Sequence, residues 1–131
     1  FGGDGAQNYI FIRLADILLL KAEALNESGD VSGAAAIVDQ IRDRVNLNPT
    51  TAGNQAAMRL AIEKERRLEL AYEGIRWYDL KRTGRAIDVM SATIGADGNP
   101  IGYMLTPERL LWPIPQAELD KNANLTQNPG Y

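Results

Sequence analysis

The chain has 131 residues, 45% hydrophobic and 24% charged, which is enough for one domain with a real core. Its net charge of −3 and lack of a basic face argue against nucleic acid. It has no cysteine and no histidine, which excludes disulfides, thiol chemistry, the commonest zinc ligands and a histidine general base.

Phe1 to Asn8 reads as loop, and Tyr9 to Phe11 is compatible with extended chain. The opening FGGDGAQN has no initiating Met and no secretory signal pattern. It reads as a cut inside a longer protein. Asn128-Pro129-Gly130 reads as a turn, so Tyr131 is compatible with a true end. No run of ~20 apolar residues occurs, so no membrane-spanning helix is expected.

Arg13 to Ser28 is the clearest helix. Leu14, Ile17, Leu18, Ala22 and Leu25 form one apolar face, with Arg13, Asp16, Glu23, Asn26 and Glu27 opposite. Leu19, Leu20 and Ala24 widen that arc, which implies packing on more than one side. Gly29 ends the helix. Asp30 or Ser32 can cap a second helix, Gly33 to Val45, with the apolar track Ala34, Ile37, Val38, Ile41 and Val45. The short connection requires antiparallel neighbours, with small Ala22 near small Ala34. The pair is similar to one tetratricopeptide-type hairpin, and no second copy follows.

Asn46 to Asn54 reads as loop, with Thr50, Thr51 or Asn54 as possible caps. A third helix is expected from Gln55 to Tyr72, with Met58, Ala61, Ile62, Leu68 and Tyr72 near one face and Glu65 close to it. Glu63 and Arg67 form an i,i+4 pair in the favourable order. Gly74 then interrupts, and Arg76 to Thr83 reads as a short fourth helix ended by Gly84. Ala86 to Ser91 can extend it, and Ala96 to Pro100 is a turn by composition. Two prolines hold Leu111-Trp112-Pro113-Ile114-Pro115 extended, and Gln116 to Asp120 is a helical turn.

The expected fold class is therefore all-α. It comprises an antiparallel hairpin of tetratricopeptide-like type, a third long helix, a short fourth and an irregular proline-containing C-terminal segment. The expected organisation is one domain over 1–131, divided into a helical hairpin at 12–45, the charged helix and short helix at 55–84, and a loop and C-terminal segment at 85–131.

Glu65, Glu69 and Glu73 recur every four residues on one helix. A glycosidase needs two carboxyl groups ~5–10 Å apart on opposing walls of a cleft, which one helix face does not provide. Structural pairing with nearby arginines is the expected use. Trp77 and Tyr78 diverge by ~100° on a helix and cannot form one sugar platform, so at least one is expected to pack inward. The joint expected to be structural comprises Glu65, Arg67, Glu69, Glu73, Arg76, Trp77, Tyr78 and Asp79. Trp112 is expected to pin the proline segment to the helices; if exposed, it becomes the candidate for stacking on a sugar. Asp4, Asp97 and Asn99 are too few for a calcium loop, and turn chemistry is expected instead. No cofactor is implied.

Three stretches together resemble the SusD/RagB family of outer-membrane nutrient-binding lipoproteins. The first is RLADILL through KAEALNE. The second is ERRLELAYEG with Arg76-Trp77-Tyr78-Asp79-Leu80 and Arg82. The third is WPIPQ with Glu118, Asn122 and Asn124, followed by QNPGY. Their order and spacing fit the C-terminal end of that family. Tyr78 stands where Phe is also usual, and Ile75-Arg76 where His-Arg is common. The resemblance implies a longer parent, lipid-anchored on the cell surface at the outer membrane. That parent would bind a glycan or other nutrient without catalysis. It would deliver the ligand to a SusC-like TonB-dependent transporter and touch the membrane only through its anchor. The alternative is a helical scaffold segment for protein–protein contact, with the ligand bound elsewhere in the parent.

Overall fold

The computed structural model describes residues 10–131. The expected loop at 1–8, Tyr9 and the Asp4 reading fall outside them. Among the described residues the chain is helical. It contains α1 (Leu14–Glu27), α2 (Val31–Asp43), α3 (Gln55–Glu69), α4 (Arg76–Arg82), α5 (Ala86–Ser91) and α6 (Gln116–Leu119), with a 3-10 turn at Glu108–Leu110. It divides into two compact units, with the boundary between Gly74 and Ile75. That boundary falls inside the stretch 55–84 that the sequence groups together.

In the first unit α1, α2 and α3 close around Leu19, Ala22, Ala34, Ile37, Val38, Ile41, Met58 and Ile62. Ala22 and Ala34 are both fully buried there, so the small residues permit close approach of α1 and α2. Gly29 takes φ +94°, and the N–H groups of Gly29 and Asp30 donate to the carbonyls of Asn26 and Leu25. These two bonds satisfy the last turn of α1 and aim the chain back along it. Asp30 caps α2 by accepting from the Gly33 N–H at 2.8 Å, and Asn54 caps α3 by accepting from Ala57 at 2.9 Å. The loop between α2 and α3 is tied down by Asp39, which accepts from Thr50 N–H at 2.6 Å, and by Arg42, which donates to Asn48 O at 2.7 Å.

The structure corrects several helix faces. Leu14 is 72% exposed and Ile17 is also exposed, while Leu19 and Asn26 face the core. Asn26 belongs there because Asn26 and Gln55 exchange amide bonds. Asn26 Nδ2 donates to Gln55 O at 3.0 Å, and Gln55 Nε2 donates to Asn26 O at 2.8 Å. A buried amide with backbone partners avoids much of its desolvation cost. Val45 lies past the end of α2 and is exposed. α3 stops at Glu69, three residues short of the expected Tyr72, and Leu68 and Tyr72 are exposed. Arg13 supplies the reason: its Nη2 donates to the Glu69 carbonyl, which caps the helix end in place of a further turn. The chain then leaves through two left-handed residues, Tyr72 (φ +67°) and Gly74 (φ +76°).

The second unit is built from shorter pieces. α4 buries Asp79 and Leu80 and ends at Gly84 (φ +71°) with the same pair of turn bonds that closes α1. α5 is a separate helix rather than an extension of α4. Residues 93–101 form a tight hairpin with one antiparallel bridge, Ile94 to Pro100. Asp97 accepts from the backbone N–H and side-chain amide of Asn99, both at 3.1 Å. Those bonds hold the carboxyl below its usual range, the side-chain bond contributing most.

Candidate functional site

Two places gather polar or aromatic groups, one in each unit. In the first unit the C-terminal half of α3 presents carboxylates to arginines from α1 and α2. Glu65 is buried and meets Arg42 at 2.8 Å. Glu69, whose side chain is 11% exposed, bridges two cations, Arg13 at 2.8 Å and Arg44 at 2.7 Å. Glu73 meets Arg13 at 2.7 Å. The buried Arg66 reaches Asp16 at 2.8 Å. The hydrogen bonds that Arg13 donates, to Glu73 first and then to Glu69, hold its guanidinium above its usual range. Arg67 is exposed.

A groove of about 350 Å³ opens beside this network. It is lined by Arg13, Leu14, Ala15, Leu18, Gln40, Ile41, Arg44 and Glu69. Its floor is apolar and its rim is charged, and among the described residues no aromatic lines it. The three glutamates all point at arginines and do not face one another across a cleft. The arrangement therefore fastens helices and does not flank a glycosidic bond.

The helix period places Glu65 and Glu69 together, yet their partners are not legible from it. Arg13, Arg42 and Arg44 lie 23 or more positions upstream of the acids they bind, and Asp16 lies 50 positions from Arg66. A usable signal is the run Glu65-Arg66 within one turn of buried Ile62: charges on an apolar stripe imply partners from neighbouring helices.

In the second unit Asp79 is buried and pairs with Arg82 at 2.9 Å. Trp77 is half-buried beside it on α4, whereas Tyr78 is exposed. Arg76 lies in the first turn of the same helix.

Trp112 does not pin the proline segment under the helices. It is 83% exposed. The segment is held from its other side by the last residues of the chain. Gln127 pairs with Ile114 as another strand would, accepting from its N–H at 2.8 Å and donating to its carbonyl at 2.9 Å. Asn128 Nδ2 donates to Trp112 O at 2.6 Å, and the Tyr131 hydroxyl donates to Leu111 O at 2.9 Å. Arg109 lies over the Tyr131 ring, 4.7 Å from its centroid. The tail takes up the carbonyls of Leu111, Trp112 and Ile114 and the Ile114 N–H, so the indole is not needed as an anchor. The sequence shows the tail to be polar; it does not show which backbone the amides grip.

No group of three or more His, Cys, Asp or Glu side chains placed to hold a metal ion is found among the described residues, and no described helix is long and apolar enough to cross a membrane.

The SusD family model matches residues 2–131. A SusD-like protein of Formosa agariphila is 39% identical over 133 residues, covering 95% of this chain and 25% of that protein. A second from the same organism is 38% identical over 140 residues, covering 99% of this chain and 27% of its own length. The crystal structure of a SusD-like protein from Bacteroides fragilis superposes with a TM-score of 0.82 at 32% identity, over 100% of this chain and 28% of that one. That of a SusD homolog from Bacteroides thetaiotaomicron gives 0.68 at 29% identity, over 94% and 27%. The chain thus spans about a quarter of the length of the curated relatives it matches. With a family match over nearly its whole length, the chain belongs to the SusD family.

Proposed function

We propose that these residues form the C-terminal part of a longer surface protein that binds a nutrient, with a glycan as the ligand class. The parent would be lipid-anchored at the outer membrane. It would pass its ligand to a SusC-like TonB-dependent transporter and perform no catalysis. The observation that carries this reading is the family match across residues 2–131.

Within this part, Trp112 is the residue proposed to touch ligand. An exposed indole offers an apolar face to the C–H face of a sugar ring. Glu65, Arg67, Glu69, Glu73, Arg76, Trp77, Tyr78 and Asp79 are assigned to structure. A second reading, a scaffold whose parent binds ligand elsewhere, is favoured by the ion pairs that lock the acids of α3.

Calorimetric titration of an oligosaccharide panel into the full parent and its Trp112→Ala variant separates the two. Loss of one stacked ring should weaken binding by about 1 kcal/mol, roughly fivefold, with little change in Tm. Trp77→Ala should do the reverse, lowering Tm and sparing affinity. Unchanged affinity in Trp112→Ala, with binding by the parent intact, selects the scaffold reading. A parent that binds none of the panel removes the glycan reading.

A further inference from the structure

Trp112 combines a side chain 83% open to solvent with a backbone held on both sides. In the peptide plane before it, Leu111 O accepts from the Tyr131 hydroxyl at 2.9 Å. In the plane after it, Trp112 O accepts from Asn128 Nδ2 at 2.6 Å. Two rigid planes meet at each α-carbon, and their orientations are its φ and ψ. Holding both therefore sets the direction in which Cβ leaves the chain. Pro113 adds to this by confining Trp112 to extended backbone. The grip is itself braced. Gln127 ties both backbone groups of Ile114, and Arg109 lies over the Tyr131 ring, 4.7 Å from its centroid.

Leu111 and Trp112 are both exposed, and water satisfies an exposed carbonyl as well as a side chain does. What Asn128 and Tyr131 add is direction. An indole on a loose strand loses backbone freedom when a ring stacks on it, and here folding has already met that cost. We infer that Asn128 and Tyr131 are positioning residues: by holding the two peptide planes of Trp112 they present its indole to a sugar ring. The inference rests on the reading of Trp112 as the residue that touches ligand. Neither side chain needs to touch the sugar, since each acts through the backbone of Trp112.

The test is calorimetric titration of the full parent with the panel oligosaccharide it binds most tightly, repeated for Asn128→Ala, Tyr131→Phe, Trp112→Ala and the Asn128→Ala/Trp112→Ala pair. Each tail variant should weaken binding by roughly two- to fivefold, and by no more than Trp112→Ala does. Tyr131→Phe keeps the ring under Arg109 and should do so with little change in Tm. Once Trp112 is alanine, Asn128→Ala should cause no further loss. If either tail variant binds as the natural parent does while Trp112→Ala weakens binding, the inference is overturned and the stacking reading stands. An equal loss from Asn128→Ala with and without the indole also overturns it, because Asn128 would then act independently of Trp112. Unchanged affinity in Trp112→Ala, or a parent that binds none of the panel, removes the stacking reading and this inference together.

Discussion

The first unit, up to Gly74, closes three helices of 13 to 15 residues over an apolar core and fastens their ends with ion pairs. The second, from Ile75, has helices of four to seven residues, and its last stretch is held by side-chain amides gripping backbone. The difference shows what each kind of sequence can support. A long periodic apolar stripe lets burial do most of the stabilising, and polar groups then fix angles and ends. A proline-rich strand has no stripe to bury and lacks two N–H donors, so its remaining backbone groups must find partners individually. Cooperative unfolding is therefore expected in the first unit and piecemeal loosening in the second.

Both tryptophans lie beyond Gly74, so indole fluorescence reports the second unit, while helical circular dichroism reports mostly the first. The largest expected effect is on the core. Met58→Ala removes a fully buried side chain and should cost about 2–5 kcal/mol in the helical urea transition. A coincident, equal shift in fluorescence would mean that the two units unfold as one. Next comes Glu69→Gln, which leaves Arg13 and Arg44 without their shared carboxylate and should cost about 1–3 kcal/mol, again in the helical transition. No change would show that the pairs only decorate the bundle. Gln127→Ala removes two bonds to Ile114 and should cost about 1 kcal/mol. It should shift Trp112 emission while the helical transition stays in place; the opposite pattern would break the contrast between the units.

The smallest effect is at Asp30. The Gly33 N–H, and after it Ser32, hold its carboxyl below the usual range. A carboxyl with a depressed folded pKa contributes stability above its unfolded pKa of about 4, and loses that contribution as pH falls through the folded value. The Tm advantage of the natural chain over Asp30→Asn should therefore be largest near neutrality and shrink below about pH 4. An advantage independent of pH would show that the cap acts through geometry alone.

What the sequence made legible was local. Asp30, Asn54, Gly29 and Gly84 act within four residues of themselves, and the structure uses all four as caps or stops. The Ala22–Ala34 approach also follows, because a three-residue link leaves the hairpin few alternatives. The misses depend on distant chain. Asn26 reads as polar surface until Gln55 is placed against it, and α3 reads as three residues longer until Arg13 caps its carbonyl. Trp112 reads as an anchor because nothing nearby in sequence shows that Gln127 and Asn128 already hold its strand. The ion-paired face of α3 was half visible: its acids repeat in register, but the helix period carries no information about which arginines answer them.

The grip of Arg13 on Glu69 and Glu73 also bears on the order of folding. It closes a loop of nearly sixty residues, and the entropy of that closure must be met before any of its bonds form. The α1–α2 hairpin closes over three residues and can form early. The Arg13 contacts, with their long sequence separation, belong among the last, after Met58 and Ile62 have docked. Weakening them should speed unfolding more than it slows folding. In this chain Arg13 acts as a latch on a bundle that has already assembled.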